Sequence, residues 1–458
     1  MPANPVDLSA PLRVHVVGIG GAGMSAIASV LAAMGHQVSG SDLKGSPVTD
    51  RLAAQGVTVS IGHRADQVVG VDLVTYSPAV SPTNVELVEA ARLAIPVARR
   101  SEVLAAVAGI RRCVAVAGTH GKTTTSSMLS LILVQAGRRP SFLIGADVNE
   151  IGTNAVWDDG DWLVLEADES YGTFTALAPE VAVVTNVEAD HLDHYGTFDA
   201  LLAAFTGFLA ATSGAKVVCA DDPVAADLGR AAGAVTVGTS AVADYRMTDL
   251  SHRRSGVGFD LSGPDGRLGR LEVAVPGAHN ARNAALATVA ALSTGVGFEA
   301  AVAALARFAG VPRRFEFRGE ANGVTFVDDY AHLPTEVQAA LATARGGGWR
   351  RVVAVFQPHR YTRTAALATT FAGAFAGADL LVVTDVYSAG EPPVPGVSGK
   401  LVADAVAATS DIPVIYAPSR DELRDIVTAV LSPGDLCLTM GAGDLTTLPD
   451  DLLATPGW

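Results

Sequence analysis

Twice in this chain a short run of strand-forming residues ends in a glycine-rich turn and passes directly into a helix-forming stretch: "VHVVGIGGAGMSAIA" from Val14 and "VAVAGTHGKTTTSSML" from Val114. A strand, a tight turn and a helix in that order make a parallel α/β unit, because the helix must carry the chain back before the next parallel strand can pair. The order also places a loop at the carboxyl end of each strand, where ligands of α/β sheets bind. In the first turn Gly18, Gly20 and Gly23 satisfy G-x-G-x-x-G, and Asp42 closes the next predicted strand, "QVSGSD". Alone, that pattern reads as a dinucleotide site with its ribose-binding acid. In the second turn Gly118, Thr119, His120, Gly121, Lys122, Thr123 and Thr124 stand where backbone N–H groups and a helix N-terminus cradle a polyphosphate. Val116 occupies the first glycine position of G-x-x-x-x-G-K-[ST], so the loop is a tighter G-T-x-G-K-T. Two loops of different chemistry require two different ligands.

The rest of the chain extends the same grammar. Further buried-type strands, "VDLVTYSPAV", "DWLVLEADES", "VAVVTNVEADH", "KVVCADD", "VTFVDDYAHLPTE", "RRVVAVFQPHRYTRT", "DLLVVTDVYSAGE" and "DLCLTMGAGD", each run into polar or glycine-rich turns. With 458 residues, 49% of them hydrophobic and 17% charged, there is material for several fully covered cores. The fold class predicted is α/β in three domains: a Rossmann-like N-terminal domain over 1–109, a central P-loop ATPase-like domain over 110–311, and a Rossmann-like C-terminal domain over 312–458. Pro312 and the arginines after it interrupt the helical pattern and mark a hinge near Gly310 to Arg313.

A net charge of −15 argues against a nucleic-acid or anionic-membrane surface, so phosphate must be held locally by loops and metal. The N-terminus has no basic stretch leading into an apolar run, and the apolar segments are short or interrupted, so a cytoplasmic chain without membrane insertion is expected. Cys113, Cys219 and Cys437 fall inside predicted strands without metal-ligand spacing and read as small buried hydrophobes. Acids and a histidine follow two successive strands of the lysine-loop domain: Glu166, Asp168 and Glu169, then Asp190, His191 and Asp193. Individually these are ordinary solvated acids; grouped behind a lysine loop they are candidate metal ligands.

Taken in order, "HVVGIGGAGMSAIA", "AGTHGKTTT", "EADES", "TNVEADHLD", "GAHNARNAALA", "RRFE", "DDYAH", "FQPHRYTRT", "DVYSAGE" and "GAGD" resemble the Mur ligase family over nearly the whole chain. The resemblance implies an enzyme of peptidoglycan precursor synthesis that uses ATP and two Mg²⁺ ions to join L-alanine to the lactyl carboxylate of UDP-N-acetylmuramate through an acyl phosphate. It further implies a monomer or weak homodimer. By the same resemblance Gly20, Gly21, Ala22, Gly23, Met24 and Ser25 approach the UDP-sugar, with Ser41 or Asp42 further along the crevice. Lys122 holds the β- and γ-phosphates, Thr123 and Glu166 bind one metal ion and His191 a second, with Glu169 the second choice to Glu166. Asn280 and Asn283 read adenine, Arg314 contacts phosphate, and Asp328 or Asp329 reaches the ribose. Tyr330, His332, Arg360 and Arg363 surround the amino acid.

Plainer readings stand beside these: Asn280 as a helix cap and Asn283 as a surface residue, Arg360 and Arg363 as decoration of an exposed helix face. Two departures from the family pattern are visible. Leu333 stands where the family shows a second histidine in "DDYGHHPTE", and the first lysine after His191 is Lys216, which speaks against a lysine carbamate. A murein-recycling ligase that adds a tripeptide is the nearest alternative, and the first loop, "GIGGAGMS", favours the alanine-adding reaction over it. An NAD-dependent dehydrogenase is a distant alternative that has no account of "HNARNAA" or "FQPHRYTRT".

Overall fold

The apolar strands predicted above assemble into three sheets in the computed structural model, which describes residues 6–77 and 79–455. The first sheet contains β1 (Arg13–Val17), β2 (Gln37–Asp42), β3 (Thr58–Ile61), β4 (Leu73–Tyr76) and β5 (Val97–Arg99). Its order is β3-β2-β1-β4-β5, every pair parallel, with Val14 opposite Val38 on one side and Leu73 on the other. Strand order therefore reverses at β1, and the glycine turn that follows β1 lies at the switch point where doubly wound sheets bind ligands.

The second sheet contains β6 (Arg112–Ala117), β7 (Ser141–Val148), β8 (Thr153–Val156), β9 (Trp162–Glu166), β10 (Val181–Val184), β11 (Lys216–Cys219), β12 (Val235–Gly238), β13 (Tyr245–Arg253), β14 (Gly256–Gly263) and β15 (Gly266–Val273). The order is β15-β14-β13-β12-β11-β10-β6-β9-β7-β8. Here β6 runs parallel to both β9 and β10, so the turn after it has a strand end on each side. Val114, Val116 and Val183 have no exposed surface, because helices cover both faces of a parallel sheet. The helix that leaves the lysine loop, Lys122–Gln135, is buried from Thr124 through Leu133, all the way round its circumference.

The third sheet contains β16 (Glu316–Ala321), β17 (Val324–Asp329), β18 (Arg351–Phe356), β19 (Leu380–Thr384), β20 (Val414–Ala417) and β21 (Asp435–Met440), in the order β16-β17-β21-β18-β19-β20. Only β16 runs antiparallel to its neighbour; the other pairs are parallel. This is the three-domain α/β class predicted from the sequence.

The chain divides into two compact units. One holds everything up to Asp249 together with Phe259–Val273 and Ala281–Ala309; the other holds Leu250–Gly258, Ala274–Asn280 and everything from Gly310 on. The three cysteines are free and buried on β6, β11 and β21, and burial alone pushes the Cys113 thiol up to about 12. Among the described residues no helix is long and apolar enough to cross a membrane.

Candidate active site

The glycine turn after β1 is held by β2. Gly18, with φ +78, and Ile19 both donate their N–H groups to the Ser41 carbonyl, at 2.8 and 3.0 Å. Gly20 donates to Asp42 Oδ2 at 2.8 Å, and a Cβ on Gly20 would stand 2.9 Å from that oxygen. Asp42 thus fastens the turn itself. Ser41 points into the sheet: wholly buried, it donates to Glu86 Oε2 at 2.6 Å. His63 Nδ1 lies 3.1 Å from the same oxygen and His15 Nε2 3.6 Å from Oε1. Burial works to raise the Glu86 pKa, but the nearby His15 imidazole and the Ser41 hydrogen bond outweigh it and leave the carboxyl below its ordinary value. Met24 and Ser25 sit in the helix Ala22–Ala33 at 2% and 4% exposure, so their side chains belong to the core and do not face the glycine turn's open side as Ala22 and Gly23 do. His15, His63 and Glu86 carried no motif in the sequence; their meeting is a product of strand register.

The lysine loop needs its two glycines for different reasons. Gly118 has φ +131, and a Cβ there would lie 2.1 Å from Thr185 Oγ1; Gly121 has φ +81, and its Cβ would lie 2.6 Å from Asn283 Oδ1. Asn186, from "TNVEADH", clamps the loop between them: its Oδ1 accepts from His120 N at 2.8 Å, its Nδ2 donates to His120 O at 3.0 Å, and its carbonyl accepts from Thr119 N at 3.0 Å. Thr119 Oγ1 accepts from Glu188 N at 2.8 Å.

Lys122 curls back over this loop. Its Nζ donates to Gly118 O at 2.7 Å and Thr119 O at 3.2 Å and pairs with Glu169 at 2.8 Å. Burial works against the ammonium, but Glu169 and Asp168 outweigh it and hold the Lys122 pKa above its ordinary value, so the group stays cationic. Thr123 Oγ1 donates to Glu166 Oε1 at 3.0 Å, while Gly145 N donates to Glu166 Oε2 at 2.6 Å. His191, at φ +55, places Nε2 3.7 Å from Glu169 Oε1 and 3.5 Å from Asp190 Oδ2.

The ends of β6, β9 and β10 thereby gather a cation, a hydroxyl, three carboxylates and an imidazole. Glu166 stands with Thr123, Glu169 with Lys122 and His191. Among the described residues no three His, Cys, Asp or Glu side chains converge tightly enough to hold an ion by themselves. Hard oxygen donors that supply only part of a coordination shell fit Mg²⁺, which takes its remaining ligands from phosphate oxygens and water. Asn283 is 6% exposed and packs against Gly121, so it is no surface residue; Asn280 lies within the helix Ala278–Ser293 and donates to the Pro276 carbonyl at 2.7 Å, which is not the accepting geometry of a helix cap.

In the unit containing the third sheet, the carboxyl ends of β17 and β18 carry a second cluster. His332 Nδ1 lies 3.1 Å from Glu336 Oε2, and its ring meets Tyr330 edge-on at 5.4 Å. Burial lowers the His332 pKa. His359 lies 5.7 Å from His332, stacks on Tyr387 at 5.8 Å and faces Arg363 Nη1 at 3.0 Å from its Nδ1. Burial, with the positive charges of Arg363 and Arg360, holds His359 down to about 4. Arg360 adopts φ +68 and ψ 137, a conformation that side chains rarely take, and its Nε is buried with no hydrogen-bond partner. A strained backbone and a buried Nε without a partner set Arg360 apart from an arginine that only decorates an exposed helix face.

Arg314 lies over Tyr330 at 5.1 Å and pairs with Glu336 at 3.6 Å. Asp328 accepts from the hydroxyls of Thr439 and Thr446 at 2.7 and 2.6 Å, and Asp329 from Phe315 N and Ala331 N at 2.8 and 2.7 Å. Leu333 is buried, at 6% exposure, so the position where the family has a second histidine is apolar here. His359 and Glu336 were passed over in the sequence although both lie within quoted motifs; the signal was a histidine directly before the two arginines.

A parallel-sheet protein with a lysine phosphate loop, a partial set of hard metal donors beside it, and a separate glycine-turn sheet is a nucleotide-dependent α/β enzyme with more than one anionic ligand. The chain belongs to the Mur ligase family: its residues 13–112 match the Mur ligase family catalytic domain, 116–291 the Mur ligase middle domain, and 313–443 the Mur ligase glutamate ligase domain. The UDP-N-acetylmuramate--L-alanine ligase of Desulforamulus reducens is 45% identical over 448 residues, covering 96% of this chain and 97% of that protein. The solved UDP-N-acetylmuramate-alanine ligase of Thermotoga maritima superposes with a TM-score of 0.82 at 29% identity, over 96% of this chain and 98% of the other. A murein peptide ligase from Psychrobacter arcticus matches with a TM-score of 0.69 at 26% identity, over the same 96% and 98%.

Proposed function

We propose that this chain is the ATP-dependent ligase that joins L-alanine to the lactyl carboxylate of UDP-N-acetylmuramate, giving UDP-N-acetylmuramoyl-L-alanine, ADP and phosphate. The observation that carries the reading is the lysine-loop cluster, in which Lys122 and Thr123, adjacent in sequence, meet Glu169 and Glu166 from the end of β9. Amide formation from a carboxylate and an amine is uphill unless the departing oxygen becomes a good leaving group. In the proposed course the carboxylate oxygen attacks the γ-phosphorus of ATP and ADP leaves. The neutral amine of alanine then attacks the acyl phosphate carbon, the amine proton passes to a base, and phosphate departs.

Phosphoryl transfer asks the protein for positioning and charge. Lys122, held cationic, spreads the charge on the β- and γ-phosphates, and the loop amides fixed by Asn186 orient them. Mg²⁺ held by Thr123 and Glu166, with His191 and Glu169 as ligands of a second ion, would supply further positive charge to the phosphate oxygens. In the other unit Arg360 and Arg363 present guanidinium forks suited to two-point binding of the alanine carboxylate. His332, kept neutral by burial, is the candidate acceptor of the amine proton. The family's three matched segments support a division of labour in which the glycine-turn sheet takes the UDP-sugar, the lysine-loop sheet ATP, and the third sheet the amino acid.

Inorganic phosphate release by the full chain tests this. Release is expected only with UDP-N-acetylmuramate, ATP, Mg²⁺ and L-alanine together; release with a murein tripeptide and none with alanine would replace the proposal with the recycling reaction.

A further inference from the structure

The third glycine of the first turn has an unexpected neighbour. In dinucleotide folds that glycine lets the helix pack closely on the strand. Here a Cβ on Gly23 would lie 2.5 Å from Arg100 Cζ, 2.6 Å from Nη2 and 2.9 Å from Nε. Gly23 is a glycine because a guanidinium is laid across the first turn of the helix Ala22–Ala33. Arg100 opens the helix Arg100–Ala108, which follows β5 without a break, so strand and helix together aim its side chain back at the glycine turn.

This arginine is poorly satisfied by the protein. Its Nε is buried without a hydrogen-bond partner, and among the described residues no carboxylate pairs with it, although the chain has 47 acidic side chains to 32 basic ones. Arg100 lines a cavity of about 220 Å³, together with Gly23 and Leu104 on its own side and Gly145, Glu166 and Asp168 on the other. The cavity therefore spans from the glycine turn of the first sheet to the carboxylate that receives the Thr123 hydroxyl. The guanidinium at one end suits a doubly charged anionic group such as a diphosphate, while the Glu166 and Asp168 carboxylates line the other end, beside the phosphate-transfer cluster.

Resting on the reading above, we infer that Arg100 binds the diphosphate of the sugar nucleotide, so that the sugar occupies the cavity and its carboxylate is delivered to the Glu166 end. The guanidinium fork takes two diphosphate oxygens, which fixes direction as well as distance. Gly23 acts through Arg100, as the residue that gives it room.

Calorimetric titration of UDP, UDP-N-acetylglucosamine and UDP-N-acetylmuramate into the full-length protein tests the inference. Arg100→Ala is expected to weaken all three by tenfold or more, Arg100→Lys by less, and Gly23→Ala to reproduce the alanine variant's loss by displacing the guanidinium. ADP affinity and the melting temperature of Arg100→Ala should stay at the wild-type values, and in turnover only the KM for the sugar nucleotide should rise. Unchanged UDP affinity in Arg100→Ala would overturn the inference. So would a loss confined to UDP-N-acetylmuramate, which would assign the arginine to the carboxylate, or a parallel loss of ADP affinity and melting temperature, which would make it structural. A wild-type chain that binds UDP and its sugars through Arg100 but releases no alanine-dependent phosphate would overturn the ligase proposal and leave this one standing.

Discussion

Lys122 carries the sharpest expectation. It both caps the lysine loop and meets the carboxylate cluster, so Lys122→Ala should lower kcat by about two to three orders of magnitude, the scale of one preorganised charge contact in a transition state. Steady-state phosphate release decides it, and near-normal turnover would remove the lysine from the mechanism. In the proposed mechanism Arg363 holds the alanine carboxylate: Arg363→Ala should raise the KM for alanine far more than the KM for ATP, and equal effects on both would argue against a carboxylate clamp. The neighbouring imidazoles report on stability. The His359 pKa is depressed from 6.5 to about 4, so the folded protein resists protonation that the unfolded chain accepts. The stability it contributes is complete above about pH 6.5 and is lost as pH falls toward 4. Denaturant midpoints measured across that window should decline for the wild type and decline less steeply for His359→Phe; identical slopes would show that the ring is not held neutral.

Between residue and fold stand the turns, and here one side chain from a neighbouring strand decides the shape. Asn186 makes two side-chain hydrogen bonds to His120, which the lysine loop cannot replace from its own residues. Asn186→Ala leaves the His120 N–H without its acceptor, while the His120 carbonyl keeps the Thr185 hydroxyl, at a cost of about 1–3 kcal/mol. The expected result is a higher KM for ATP with the KM for alanine little changed, since Asn186 lies in the unit that holds the phosphate loop. An unaltered KM for ATP would mean that Gly118 and Gly121 alone preserve the loop. The same logic explains Asp42. Read in sequence as a ligand-binding acid, it spends one oxygen on the Gly20 amide and so shapes the turn from within.

For the molecule as a whole, the division into compact units has a break between Ala309 and Gly310, at the edge of the segment predicted as a hinge from Pro312 and its flanking arginines. Gly310 at φ +88 and Arg313 at φ +61 give that segment backbone conformations unlike those of the helix before it. If the amino acid and ATP bind in different units, an acyl phosphate must be shielded from water by domain movement. Small-angle scattering should show a smaller radius of gyration with UDP-N-acetylmuramate and a non-hydrolysable ATP analogue than without ligands; an unchanged curve would count against closure.

Much of this was legible in the order of residues, for a local reason. Strand-forming runs, glycines at turns and a lysine before a helix act over five to ten positions, and β1, β6, β9, β10, β17, β18 and β21 stand where those patterns put them. Elements whose partners lie far off in sequence were not legible. Strands β13 to β15 have no continuous apolar run to announce them, and β7 and β8 take their role from pairing. The site divides in the same way. Sequence alone determined that a phosphate loop, an acid-bearing strand end and an arginine pair exist, since each is a contiguous motif. Tertiary structure decided which acid meets which partner, Glu166 with Thr123 and Glu169 with Lys122, and it turned Ser41 inward to Glu86 and Arg100 onto Gly23. Those pairings depend on register and on the packing of helices separated by tens of residues, and no short stretch of chain contains them.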